Sequence, residues 1–212
     1  MQKKGDMKMM NEEQRTTEMM RNEAITSPRY REYRFQESDN SPVCTFSRYY
    51  ANHFDTRKEN STGILFLGGV GVGKTYYAAS IVNALVDRGI PCLLIQEERA
   101  VANILSDGKE YLDSLNRYRL VVLDDMNWAL NNNLAASAIY QLIDSRYRNK
   151  LPIIVTTILD TEEIKNPKTG TQKQIFSRLK EMCTPVYMYG EDKRITNADK
   201  EHALLKEMLG MQ

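Results

Sequence analysis

Two short stretches of this chain carry residue types that do phosphate chemistry. The first is GGVGVGKT, residues 68–75. It fits G-x-x-x-x-G-K-[ST], with Gly68, Gly73, Lys74 and Thr75 in the fixed positions. Glycines at 68, 69, 71 and 73 let the backbone curl, so that its N–H groups, those of Val70 and Val72 among them, face an anion. The following helix adds the positive end of its dipole and brings Tyr76 into the first turn. Lys74 is then placed to reach β- and γ-phosphates, and the Thr75 hydroxyl to bind Mg²⁺. The second stretch is LVVLDD, residues 120–125. Four apolar residues put Asp124 at the carboxyl end of a buried strand, where open α/β sheets bind ligands. Asp124 is expected to hold the Mg²⁺ shell, and Asp125 to orient or deprotonate an attacking water. Paired acids after a strand also serve as helix caps, but behind a P-loop the metal and water roles are the stronger reading.

A P-loop works only between a strand and a helix, and the chain supplies both. GILFLG (63–68) is a continuous apolar run, as expected of a strand buried on both faces. KTYYAASIVNALVDRG reads as a helix closed by Gly89. Beyond it come a strand in PCLLIQ, two short helices in EERAVANILSDG and KEYLDSLN, and a strand in YRLVVLDD. A helix in NLAASAIYQLIDSRYRN, a strand in LPIIVTT, a helix in QKQIFSRLKEMC and a strand in PVYMYG follow. Strands alternating with helices imply right-handed crossovers and a parallel sheet covered on both faces. The expectation is a three-layer αβα P-loop fold with five parallel strands. The core is expected over 44–195 and a C-terminal helix over 196–212. Residues 1–43 mix methionines, charges, prolines and turn formers, and read as a flexible or partner-docking N-terminal arm.

Composition narrows the class. A 42% hydrophobic and 27% charged chain is ordinary for a soluble domain, and no apolar run approaches a membrane span. The charged N-terminus lacks the apolar core of a signal peptide. Cys44, Cys92 and Cys183 are odd in number and widely spaced, which suits a reducing cytoplasm better than a disulfide framework or a zinc site. With a net charge of +1, any nucleic-acid contact must come from a local patch. SRYRNK (145–150) and REYRFQ (31–36) have the basic and aromatic composition for single strands, although solvated basic surface is the commoner role of such stretches. A GTP switch would carry N-K-x-D, and the one Asn-Lys here, in NKLP, lacks the Asp. A small-molecule kinase would need an arginine-rich lid and an acceptor pocket, neither of which can be marked out. Adjacent acids on the third strand favour water as acceptor, hence ATP hydrolysis.

With these motifs in order, the chain resembles the DnaC/DnaI/IstB-like branch of the AAA+ ATPases. The resemblance covers about residues 45–194. It rests on GILFLGGVGVGKTYYAASIVNAL, YRLVVLDDM, AIYQLIDSRYRNKLPIIVTT, IFSRLKEMC and GEDKR. It implies a cytoplasmic ATP- and Mg²⁺-dependent protein that oligomerises through its ATP sites. The implied partners are a ring-shaped replicative helicase, met through the N-terminal arm, and single-stranded DNA. Arg178, in SRLKEMC, stands where the family has an arginine finger, and Arg194, in GEDKR, where it has its sensor-2 arginine. One departure concerns the end of the fourth strand, where the family often has Asn after TT or TS and this chain has Ile158. Ile cannot hydrogen-bond a phosphate or water, so Thr157, or less readily Thr156, is the expected substitute. Asp125 stands where many AAA+ proteins have Glu, and is shorter by about 1.5 Å, which implies slow hydrolysis until a partner tightens the site. The same core also serves an IstB-like transposition helper, or a nucleotide-regulated interaction protein with little turnover.

Overall fold

The computed structural model describes residues 12–37, 39–54, 62–127 and 129–193. Arg194 and the helix expected over 196–212 lie outside the described residues. Five parallel strands form one sheet in the order β2-β3-β4-β1-β5. They are β1 (Gly63–Gly68), β2 (Cys92–Gln96), β3 (Leu120–Asp124), β4 (Ile153–Thr157) and β5 (Cys183–Met188). β1 lies between β4 and β5, so the chain crosses over between β1 and β2 and back between β4 and β5. Such a reversal of strand order opens a crevice at the carboxyl ends of the strands.

Alternate residues of β1 to β4 enter different cores. Ile64 and Phe66 of β1, Leu94, Val122 and Ile154 pack against α4 (Lys74–Val86) and α3 (Pro42–Asn52). Leu65, Leu67, Ile95, Val121, Leu123 and Val155 pack against α5 (Glu97–Leu115), α6 (Asn133–Arg148) and α8 (Gly170–Met182). Both faces of the strands are therefore apolar, which is why they read as uninterrupted runs. The two short helices expected over 97–116 form one element broken at Gly108, whose φ of 53° and ψ of −124° interrupt α5. α7 (Thr161–Lys165) opens on a capping box between Asp160 and Glu163. β5 begins at Cys183, two residues earlier than its sequence suggests, because Gly63 of β1 pairs with Cys183.

Part of the arm packs against the core. α1 (Glu12–Ala24) and α2 (Pro28–Arg31) lie against α4 and the β2 edge, so from Glu12 onward the chain is not a loose tail. Ala24 and Ile25 are fully buried, and Ile25 forms a parallel bridge to Leu94. Arg21 pairs with Asp87, and the Glu23 carboxylate accepts from Arg117 and Tyr118 at 2.9 Å each. Asn83, buried in α4, donates to the carbonyls of Tyr30 and Tyr33 at 2.9 Å. The Tyr77 hydroxyl donates to Asp39 at 2.6 Å, which holds that carboxyl down at about 2, while burial pushes the Tyr77 hydroxyl up to about 12. Composition hides all this because the apolar contacts, Ala24, Ile25 and the partly buried Met20, Tyr30, Tyr33 and Phe35, are scattered among charges and turn formers.

SRYRNK and REYRFQ differ in how their arginines are used. Arg146 is fully buried and donates to the carbonyls of Leu115, Tyr118, Arg119 and Pro152 at 2.9–3.3 Å. It ties together the segments that enter β3 and β4, and burial pulls its guanidinium down to about 10. Arg148 pairs with Asp144. Arg31 and Arg34 donate to carbonyls of the arm itself. Arg146 is thus structural, whereas the Arg148 side chain stays 74% exposed and that of Arg34 44% exposed. Arg146→Met should leave four carbonyls without their donor, at a cost of about 3–5 kcal/mol. Thermal unfolding should then show a melting temperature lower by about 10 °C. A loss below about 1 kcal/mol would mean that water or rearrangement serves those carbonyls instead.

Candidate active site

The crevice gathers residues from three neighbouring strands. β1 ends at Gly68, whose φ is 151° and where a Cβ would sit 2.2 Å from the Met188 carbonyl. The loop closes at Gly73, the N-cap of α4, with a φ of 104° that L-residues with side chains avoid. Lys74 is buried, and its ammonium donates to the carbonyls of Gly68 and Gly69 at 2.7 and 2.6 Å. Val72 is core, Val70 is exposed, and the Tyr76 hydroxyl is taken by the Arg34 carbonyl. Any contact from Tyr76 to a phosphate would therefore come from its backbone. Past β5, Lys193 N donates to Gly71 O at 3.1 Å, and the Asp192 carboxylate lies where a Cβ on Gly71 would stand. GEDKR thus runs onto the P-loop as far as Lys193.

Thr75 and Asp124 meet as the two motifs require. Thr75 Oγ1 donates to Asp124 Oδ1 at 2.9 Å, and Thr156 Oγ1 donates to the same oxygen at 2.7 Å. Burial pushes the Asp124 carboxyl upward, and the Asp125 charge adds to this, while the two threonine hydroxyls and Lys74 oppose it. Thr156 also accepts from Asp125 N at 2.8 Å, which fixes where Asp125 leaves the strand. Asp125 itself has a φ of 61°, an uncommon left-handed conformation for a residue with a side chain.

Thr157 is placed differently from its expected role. It is fully buried, and its hydroxyl faces Met126 O at 2.7 Å and Asn127 Oδ1 at 2.9 Å. Its oxygen also accepts from Leu159 N at 3.1 Å. These contacts tie Thr157 to the loop that follows β3. Ile158 is 45% exposed at the end of β4. Sequence reading missed Asn127 and Glu97, and it ranked Thr156 behind Thr157. Glu97, 2% exposed at the head of α5, accepts from Asn127 N at 3.1 Å and Ala129 N at 3.0 Å.

Arg178 stands apart from these groups. Its Nε and Nη2 both lie 2.6 Å from Asp144 Oδ1, and the rings of Tyr140 and Tyr147 lie 5.2 and 5.0 Å from the guanidinium carbon. The Asp144 carboxylate raises Arg178 further, and Arg178 and Arg148 hold Asp144 down against the effect of burial.

A five-stranded parallel sheet in this order, with Lys74, Thr75 and Asp124 at its carboxyl edge, defines a P-loop NTPase of the AAA+ class. More narrowly, the chain belongs to the family described as IstB-like ATP binding protein, whose model matches residues 6–200. The IS21 insertion-sequence ATP-binding protein of Pseudomonas aeruginosa is 28% identical over 156 residues, covering 70% of this chain and 58% of that protein. The replicative helicase loader DnaC of Escherichia coli K12 is 27% identical over 146 residues, covering 64% of this chain and 57% of the other. The chain thus matches under two thirds of the length of these relatives. Among solved structures, a DnaC helicase loader superposes with a TM-score of 0.65 at 20% identity, covering 77% of this chain and all of that one. DnaI gives 0.66 at 19%, covering 82% and 98%. At that identity the superpositions speak for the fold. Among the described residues, no helix is long and apolar enough to cross a membrane.

Proposed function

We propose that this chain binds and hydrolyses ATP with Mg²⁺ and uses the cycle to place a replicative helicase on single-stranded DNA. The Thr75–Asp124 hydrogen bond carries the ATPase part, because it brings a neutral hydroxyl and a carboxylate from separate motifs to one point beside Lys74. Two hard oxygen ligands on the protein, with phosphates and water completing the shell, suit Mg²⁺. When bound, the ion neutralises charge on the β- and γ-phosphate oxygens. Lys74 trades its two loop carbonyls for phosphate oxygens. Asp125 orients the attacking water and takes its proton as the bond between the γ-phosphorus and the bridging oxygen breaks, leaving ADP and phosphate. Arg178 supplies its positive charge to the site of a neighbouring subunit, and Arg194 to its own.

The helicase part is supported by the likeness to a relative described as a replicative helicase loader. The arm is the proposed docking element, packed along the P-loop helix as it is. A second reading, a transposition helper, draws on the family model and on two insertion-sequence ATP-binding proteins at 28% and 29% identity. The mass of complexes formed with the helicase of the same host or phage, by light scattering with and without ATP, separates the two. A stable ring-plus-loader species is expected. No complex in either condition, with a transposase complex formed instead, would replace the loader by the helper.

A further inference from the structure

The family's polar side chain at the end of β4 is absent here, and the described residues show another asparagine at the same junction. Asn127 follows β3, not β4. Its Nδ2 donates to Asp125 Oδ1 at 2.9 Å and contacts Asp125 O at 3.2 Å. Its Oδ1 accepts from Ile158 N at 3.1 Å and meets the Thr157 hydroxyl at 2.9 Å. The partners fix which end of the carboxamide points where: Ile158 N can only donate, and the Asp125 oxygens accept. One side chain therefore bridges the proposed base to the end of the neighbouring strand.

Three surrounding features make this a held position and not a chance turn contact. Glu97 accepts from the backbone N–H groups of Asn127 and Ala129, which fixes the loop from behind. Met126 N donates to Thr156 O at 2.9 Å, which continues the β3–β4 pairing past Asp124. Asp125 sits at a positive φ, and the Asn127 carboxamide bonds both its carbonyl and its carboxylate in that conformation. Left-handed backbone at a non-glycine costs free energy and persists where surrounding contacts over-determine it.

We propose that Asn127 is the positioning residue of hydrolysis in this chain. It aims the Asp125 carboxylate and links it to β4, doing from β3 what Ile158 cannot do from β4. The proposal rests on the ATPase reading above. It makes Asn127 necessary for turnover and dispensable for nucleotide binding.

The test compares ATP affinity with single-turnover hydrolysis at saturating ATP and Mg²⁺, in the full chain with its partners present. Asn127→Leu, similar in shape, should bind ATP within about twofold of the parent and hydrolyse it about 30- to 100-fold more slowly, the scale of a misplaced reacting group. Asn127→Asp keeps the acceptor towards Ile158 N and loses the donor towards Asp125, so it should show the same split. It decides the question if the leucine variant fails to fold. Adding Ile158→Asn to Asn127→Leu returns a carboxamide to the junction and should recover most of the rate. Unchanged turnover in the single variants, an equal loss of binding, or no recovery in the double variant would each overturn the proposal while leaving the ATPase reading intact. Absence of turnover in the parent chain with every partner present would overturn both.

Discussion

Lys74→Ala should bind ATP at least about 30-fold more weakly than the parent chain. The side chain is 7% exposed, and its ammonium already rests on two loop carbonyls, so it is desolvated before a nucleotide arrives. Removing one partner of a buried, hydrogen-bonded charge pair costs about 2–5 kcal/mol, and each 1.4 kcal/mol is about tenfold in affinity. Calorimetric titration with ATP and Mg²⁺ measures the loss directly. Thermal unfolding gives a second reading, since a ligand at about 100 times its dissociation constant stabilises by about 2.7 kcal/mol. That stabilisation should appear in the parent and vanish in the variant. The nucleotide-free variant should unfold near the parent temperature, because the two carbonyls lie at the crevice edge where water can replace the ammonium. Affinity within about threefold of the parent would place the nucleotide somewhere other than the P-loop.

The parts of this site that follow from local chemistry are legible in the chain, and those that follow from strand neighbours are not. Gly73, Lys74 and Thr75 announce themselves because a tight anion-binding turn admits few residue types. Asp124 does so because it ends an apolar run behind a P-loop, where the metal role outweighs that of a helix cap. Asn127 carries no such mark. An asparagine just beyond an acid is ordinary turn chemistry, and its role exists only because β4 lies beside β3 and brings Thr157 and Ile158 to it. Thr157 shows the same division: its place at the strand end is readable, but its burial against Met126 depends on the neighbouring loop. Arg146 shows the limit from the other side. Its neighbours Arg148 and Lys150 give it a solvated look, whereas its side chain fills a cage of backbone carbonyls contributed by segments far apart in the chain. Charge patterning reports composition, and only packing says which cation is inside.

Arg178→Ala should leave ATP affinity within about threefold and lower the hydrolysis rate by about 10³- to 10⁵-fold, the range seen for arginines that meet the transferred phosphoryl group. Sheet register explains why the effect should come from a neighbouring subunit. The nucleotide crevice lies at the carboxyl edge, by Gly68. α8 delivers the chain to Cys183, which pairs with Gly63 at the opposite edge of β1. Arg178 lies one turn before that end, held to Asp144, which is one turn before the end of α6. That places Arg178 towards the end of the sheet opposite the P-loop of its own chain. Its present contacts with Asp144, Tyr140 and Tyr147 aim the group while leaving its side chain 27% accessible. Mixing Arg178→Ala with Lys74→Ala then becomes the decisive measurement. The first variant keeps an intact nucleotide site without a finger, and the second keeps the finger without an intact site. Mixed oligomers should therefore regain part of the lost rate, rising with the share of Lys74→Ala subunits and then falling as intact sites become scarce. A mixture as inactive as either variant alone, in oligomers shown by co-purification of two differently tagged variants to contain both, would remove Arg178 from the neighbour's site.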